Sequence, residues 1–177
     1  MSVFRTVHTN LYYMKILLLC LCFTYTAHAQ YNYSQPEKWK IDKNKLITGG
    51  LVFTAGAAKG FNETLLFHWD AFHHAFPNAN PEWFNPAVSW TNKYKNGNCD
   101  EGPRFPLSTS VLVMFTDQYH LNNFIGKLAW TSTLVIKIGE GKKPWTHYLL
   151  DLVYYTLCHQ AGFLLTYAPF TKSSGNK

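Results

Sequence analysis

The residues of this chain that could do chemistry together are acids, histidines, one lysine and one tyrosine spread along stretches that read as helical: Glu63, Asp70, His74, Asp117, His120, Lys127, Asp151, Tyr155 and His159. Asp117, His120 and Lys127 fall on one face of their stretch, and Asp151, Tyr155 and His159 follow at i, i+4 and i+8, which stacks them on one side of a helix. Glu63, Asp70 and His74 share a face of an earlier stretch. Three polar faces meeting in a bundle core would suit a divalent metal, a proton relay or a polar headgroup. A metal needs three or four imidazoles and carboxylates at ligand distance, and Asp117, His120, Asp151 and His159 are the first candidates. His68, His73 and His74 add further nitrogen ligands. The spacing favours pairing of these groups to hold helices together, because no HExxH is present and His68-x4-His73-His74 is a single fragment. A nucleophile is poorly supplied: no Ser sits in a Gly-x-Ser-x-Gly turn, and helix geometry turns Cys158 away from its neighbour His159.

Three long helical stretches must position these residues. The first runs from Lys45 to about Phe76 and ends at Pro77; Lys59, Glu63, Asp70 and His74 lie on one side, Phe61, Leu65 and Phe72 on another. Its Gly56-Ala57-Ala58-Lys59-Gly60 run lacks the order of a phosphate loop and reads as close helix packing. The second spans Pro106 to Ile138, with a polar insert at 116–123. The third covers Trp145 to Ala168, closed by Pro169, and Tyr148 to Tyr167 carries only Asp151, His159 and Gln160 as strongly polar residues. Trp145 and Tyr167 sit near its ends, where interfacial rings belong. A long loop from Pro77 to Arg104 holds Asn-Pro pairs, an Asn-Gly turn, Trp83 and Trp90; its aromatics predict an ordered loop.

The expected fold is therefore all-α, a small bundle of about three long membrane-spanning helices with one ordered loop. Residues 1–29 read as a signal peptide: Met14-Lys15, an apolar run from Ile16 to Tyr25 too short to cross a bilayer, and Ala27-His28-Ala29 before Gln30. A start at Met14 would make residues 1–13 an upstream mis-start. Residues 30–44 form a polar lead-in, 45–170 the helical domain and 171–177 a polar tail. Cys20 and Cys22 lack the small preceding residue of a lipid-attachment site. Cys99 and Cys158 are the mature cysteines. The chain holds 16 Lys and Arg against 10 Asp and Glu, but its lysines are scattered, so nucleic acid is not an expected partner. Aromatic residues make up 17% of the chain, which suits a membrane interface or an aromatic-rich core. Lysines are nearly balanced between loops, leaving orientation open.

Phe76-Pro77-Asn78-Ala79-Asn80 through Trp83, Asn85-Pro86, Ser89-Trp90 and Asn92 to Gly97 resembles a loop of an uncharacterised family of small bacterial membrane proteins, and Phe115 to His120 is similar to the helix after it. The resemblance implies helical membrane embedding in a bacterial envelope and no activity. The functional expectation is a small integral membrane protein, in contact with membrane lipid, whose polar core fixes the bundle or binds a protein partner. One alternative is a membrane-embedded metal-dependent hydrolase acting on a lipid-like substrate. Another is a soluble secreted helical domain, which the mean hydropathy of −0.16 supports. The cleavage site has a direct consequence: N-terminal sequencing of the protein from its native host should begin at Gln30, and a mature chain retaining Met14 would refute it.

Overall fold

The computed structural model describes residues 38–171. The signal peptide, Cys20, Cys22, most of the lead-in and the tail beyond Thr171 lie outside the described residues. The chain divides into the units Met1–Lys38 and Trp39–Lys177, and the elements below belong to the second. They are helical: α1 (Lys43–Phe67), α2 (Trp69–Ala75), α3 (Pro81–Phe84), α4 (Pro86–Ser89), α5 (Gln118–Gly139) and α6 (Trp145–Thr171). The described residues contain no strand, only an isolated bridge between Tyr94 and Pro103. The all-α expectation holds.

Helix α1 is the central element, packing along both α5 and α6. It starts where the Asp42 carboxylate accepts the Lys45 amide at 2.8 Å, an N-cap. Its partners fix the topology. Thr48 meets Tyr155, Gly56 meets His159, Thr64 meets Thr166 and His68 meets Tyr167, so α1 and α6 run parallel. Asn62 meets Asn122 near the start of α5, and Lys137 near its end meets Asp151, so α5 runs the opposite way.

The α1–α6 contact is backbone against backbone. A Cβ added at Gly56 would lie 2.0 Å from the His159 carbonyl oxygen, one at Gly60 2.4 Å from that of Phe163, and one at Gly162 2.1 Å from that of Phe53. Small residues permit this approach, and the neighbouring hydroxyls use it: Thr64 Oγ1 donates to the Thr166 carbonyl at 2.8 Å, and Thr166 Oγ1 to that of Ala57 at 2.9 Å.

The element boundaries differ from expectation in three places. The first helix breaks at His68, whose φ of −132° and ψ of 33° leave the helical region, and α2 follows as a short separate piece. The break lets Phe72 bury itself among Phe61, Phe76, Phe84 and Phe170, with ring centroids 5.1–5.9 Å away. The second helix begins at Gln118 rather than Pro106. Residues 106–117 form turns, with Leu107 at φ 62° and a 3-10 turn at Val113–Phe115, because Asp117 caps α5 by accepting the His120 amide at 2.8 Å. Finally, Pro169 lies inside α6 rather than closing it; within the last turn, little of the amide ladder remains for proline to interrupt.

The long connection from α2 to α5 is ordered by its own short helices. Asn80 and Asn85 cap α3 and α4, each followed by Pro at the first helical position. Ser108 Oγ donates to the Lys93 carbonyl at 2.7 Å, and Trp83 Nε1 to Gln118 Oε1 at 3.0 Å, which pins the loop to α5. The packing generates a sharp expectation. Gly56→Val would drive a side chain into the His159 main chain, which cannot move without displacing α6. Thermal unfolding in mild detergent should show severe destabilisation, whereas Gly50→Val, in open space, should change the midpoint little; equal effects would remove the glycine contact from its structural role.

Candidate functional site

The interior polar groups fall into two clusters rather than one. At the start of α5, Asp117 is 1% exposed. Its Oδ2 lies 2.7 Å from His120 Nδ1 and 3.0 Å from Thr116 Oγ1. A carboxylate only accepts, so Nδ1 carries the proton and donates, which fixes the ring and leaves Nε2 for other work. Burial works to raise the Asp117 pKa, but hydrogen bonds from the His120 ring and amide outweigh it and hold the carboxyl below its ordinary value. Beside this pair runs an amide chain: Trp83 donates to Gln118, Gln118 to Asn122 Oδ1 at 2.8 Å, and Asn122 to Asn62 Oδ1 at 2.9 Å. Asn62 in turn donates to Asn123 Oδ1 at 3.1 Å. The chain joins loop, α5 and α1.

The second cluster sits at the other end of α5. Asp151 Oδ1 accepts from Trp39 Nε1 at 2.8 Å, and its Oδ2 forms an ion pair with Lys137 Nζ at 3.1 Å. The same ammonium donates to Glu140 Oε2 at 2.8 Å, and Lys143 Nζ reaches that oxygen at 2.5 Å. Burial raises the Glu140 pKa, but hydrogen bonds from Lys137 and Lys143 prevail and leave it lowered. Tyr155 OH lies 2.7 Å from Thr48 Oγ1, and its ring lies under Lys137 Nζ at 5.3 Å. Lys45, 3% exposed, pairs with Asp42 at 3.4 Å.

The sequence candidates are therefore distributed, not convergent. Asp117 with His120, and Asp151 with Tyr155, are genuine interior groups. Asp117 lies 20 residues before Lys137, the partner of Asp151, so the two clusters are about 30 Å apart along α5. His159 joins neither; its ring lies 6.1 Å from that of Trp130. Asp70, His74 and Lys127 are exposed, and the half-buried Glu63 pairs with the exposed Lys59 one turn away on α1. The inward face of α1 is instead the small-residue face, because only glycine and alanine allow α6 so close. Among the described residues no group of three or more His, Cys, Asp or Glu is placed to hold a metal ion. Asp117, His120, Asp151 and His159 are not gathered into one ligand set.

Sequence reading passed over Asn62, Asn122, Lys45, Lys137 and Glu140. A signal existed for the asparagines: Asn122 follows Gln118 at i+4 on one face of its helix, and Asn62 interrupts an apolar face. No such signal marked Lys137 or Glu140, which stand at a helix end where charges are ordinary. Compared with family models, curated proteins and solved structures, the chain matches none. What the geometry defines is a helical protein with a hydrogen-bonded interior.

The lowered Asp117 pKa gives stability a sign in pH. The stabilisation is complete above the unfolded carboxylate value of about 3.9 and is lost as pH falls through the lower folded value. Unfolding followed from pH 7 down to pH 2 should therefore show a loss beginning near pH 4. Asp117→Asn should shrink that acid limb and cost about 1–3 kcal/mol at pH 7; an unchanged acid limb would contradict the assignment.

Proposed function

We propose that this chain is a small membrane-resident helical protein without catalytic activity, whose polar interior holds its helices in register and whose outer faces meet lipid. One observation carries the reading: apart from Val52 and Leu65, most large apolar side chains of the long helices point outward, while much of the interior is polar. Val135 is 64% exposed, Ile138 71%, Leu152 63% and Leu157 64%. The buried set instead includes Thr48, Asn62, Thr64, Asn122, Thr133, Asp117 and Asp151. On α6, Leu149, Val153, Leu157 and Leu164 follow at helical spacing, and each is more than half exposed.

No helix among the described residues is long and apolar enough to cross a membrane. Length is not the shortfall. With 25, 22 and 27 residues, the three long helices rise about 33–40 Å, against a hydrocarbon core of about 30 Å. Part of the deficit in their mean hydropathy comes from inward residues that lipid would not touch, and part from the exposed Lys59, Lys127 and Gln160. Thr48 and Asn62 are polar but each is hydrogen-bonded within the bundle. Backbone groups are satisfied within each helix, as lipid demands.

Alkaline carbonate washing separates the possibilities. The protein should stay in the membrane pellet at high pH; quantitative release would favour a secreted helical domain that covers its apolar faces by self-association.

A further inference from the structure

A groove of about 530 Å³ opens between the three long helices, bordering the amide chain at Asn122 and Asn123. Lys59 of α1, Asn122, Asn123, Lys127 and Trp130 of α5, and His159 of α6 line it. We infer that this groove binds the anionic head of an amphiphile, a phosphate or carboxylate, with its hydrocarbon chain laid along the outer face of α5. The inference deepens the membrane reading, on which it rests for the setting in which such a molecule is met.

The groove is rich in unspent donors and poor in acceptors. Asn62 donates to Asn123 Oδ1, which orients that amide and leaves its NH2 group without a partner among the described residues. Lys127 has no carboxylate partner among them, and the His159 ring makes only its contact with Trp130. Lys59 carries the one ion pair at the rim, to Glu63. The Asn122 carbonyl oxygen is already taken by Gln118. Ammonium, amide and imidazole N–H groups converging where acceptors are engaged favour an anion over a cation or a neutral polar group.

A chain attached to that anion has a path. Lys127, Thr131, Leu134 and Ile138 follow at i, i+4, i+7 and i+11, one stripe down α5. Leu134 is exposed and so is Ile138, about 16 Å below Lys127. Head-binding lysine and chain-binding aliphatics thus stand on one line. Lys59 and Lys127 lie eight and nine residues from the paired ends of α1 and α5 (Phe67 and Gln118), so both lysines are anchored about 12–14 Å below that end of the bundle. Long lysine stems reach from such a depth toward the headgroup layer.

Two sources share this chemistry, an acidic phospholipid and a free fatty acid. The test uses purified full-length protein in neutral detergent. Affinity is measured for dihexanoyl-phosphatidylglycerol, decanoate and dihexanoyl-phosphatidylcholine. At least one anionic probe should bind about ten-fold more tightly than the phosphatidylcholine, and Lys127→Gln should abolish that preference. Lys142→Gln, at an exposed turn, should leave it intact. Binding of phosphatidylglycerol alone names the phospholipid, and of decanoate alone the fatty acid. Equal affinity for all three, or a preference that survives Lys127→Gln, overturns the inference. The short-chain probes are soluble, so this result is read independently of the carbonate experiment: loss of charge preference removes the groove, and carbonate release removes membrane residence.

Discussion

The whole arrangement depends on how closely α1 approaches α6. At Gly56, Gly60 and Gly162 the helices touch main chain to main chain, leaving no room for a methyl group. Such proximity brings hydroxyls within reach of the opposite carbonyls, so Thr64 and Thr166 bond across the seam. It also fixes the height of α6 against α1, which places Tyr155 beside Thr48 and Asp151 beside Trp39. Slide the seam by one turn, about 5.4 Å, and each of these partnerships is lost together.

Once α1 is committed to α6 on its glycine face, its other flank must hold α5. Apolar complementarity is sparse there, with Ala55, Ala58 and Leu65 on one side and Ala129 on the other. Directional contacts make up the difference. The Asn62–Asn122–Gln118–Trp83 chain ties the first turns of α5 to α1 and the long loop, and the Lys137 ion pairs tie its last turns to α6 and Trp39. Buried amides cost several kcal/mol each when unpaired, so a register that breaks the chain is strongly disfavoured. Specificity of register comes from these polar groups more than from shape.

The clusters at the two ends of α5 differ in chemistry. Asp117 is held by hydrogen bonds from a residue three positions on, so its partner comes from its own cap, and it would keep His120 oriented however α6 sat. Asp151 is held by Trp39 and Lys137, residues far from it in sequence. The first is a local motif; the second exists only in the assembled unit. Neither collects the third carboxylate or imidazole that would make it a metal centre among the described residues.

This division marks the limit of what the residues alone settle. Helical period, the Gly56–Gly60 run and the apolar content of 145–168 were enough for an all-α fold with long helices and a tight glycine contact, because those depend on spacing within one segment. That Asp117 and His120 share a face was legible for the same reason, three residues apart on one turn, but the spacing pointed them toward Asp151 and His159 rather than toward each other. The break at His68 and the placement of Glu63 away from both clusters were not, since each is imposed by partners distant in sequence: Phe72 packs into an aromatic cluster completed by Phe170, and glycine claims the α6 face of α1. The late start of α5 is local, set by the cap that Asp117 makes with the His120 amide, but nothing in the apolar pattern before it marked the boundary. Whether an interior acid meets another acid, a lysine or nothing is decided by which helix faces it, and that is a property of packing rather than of any one segment.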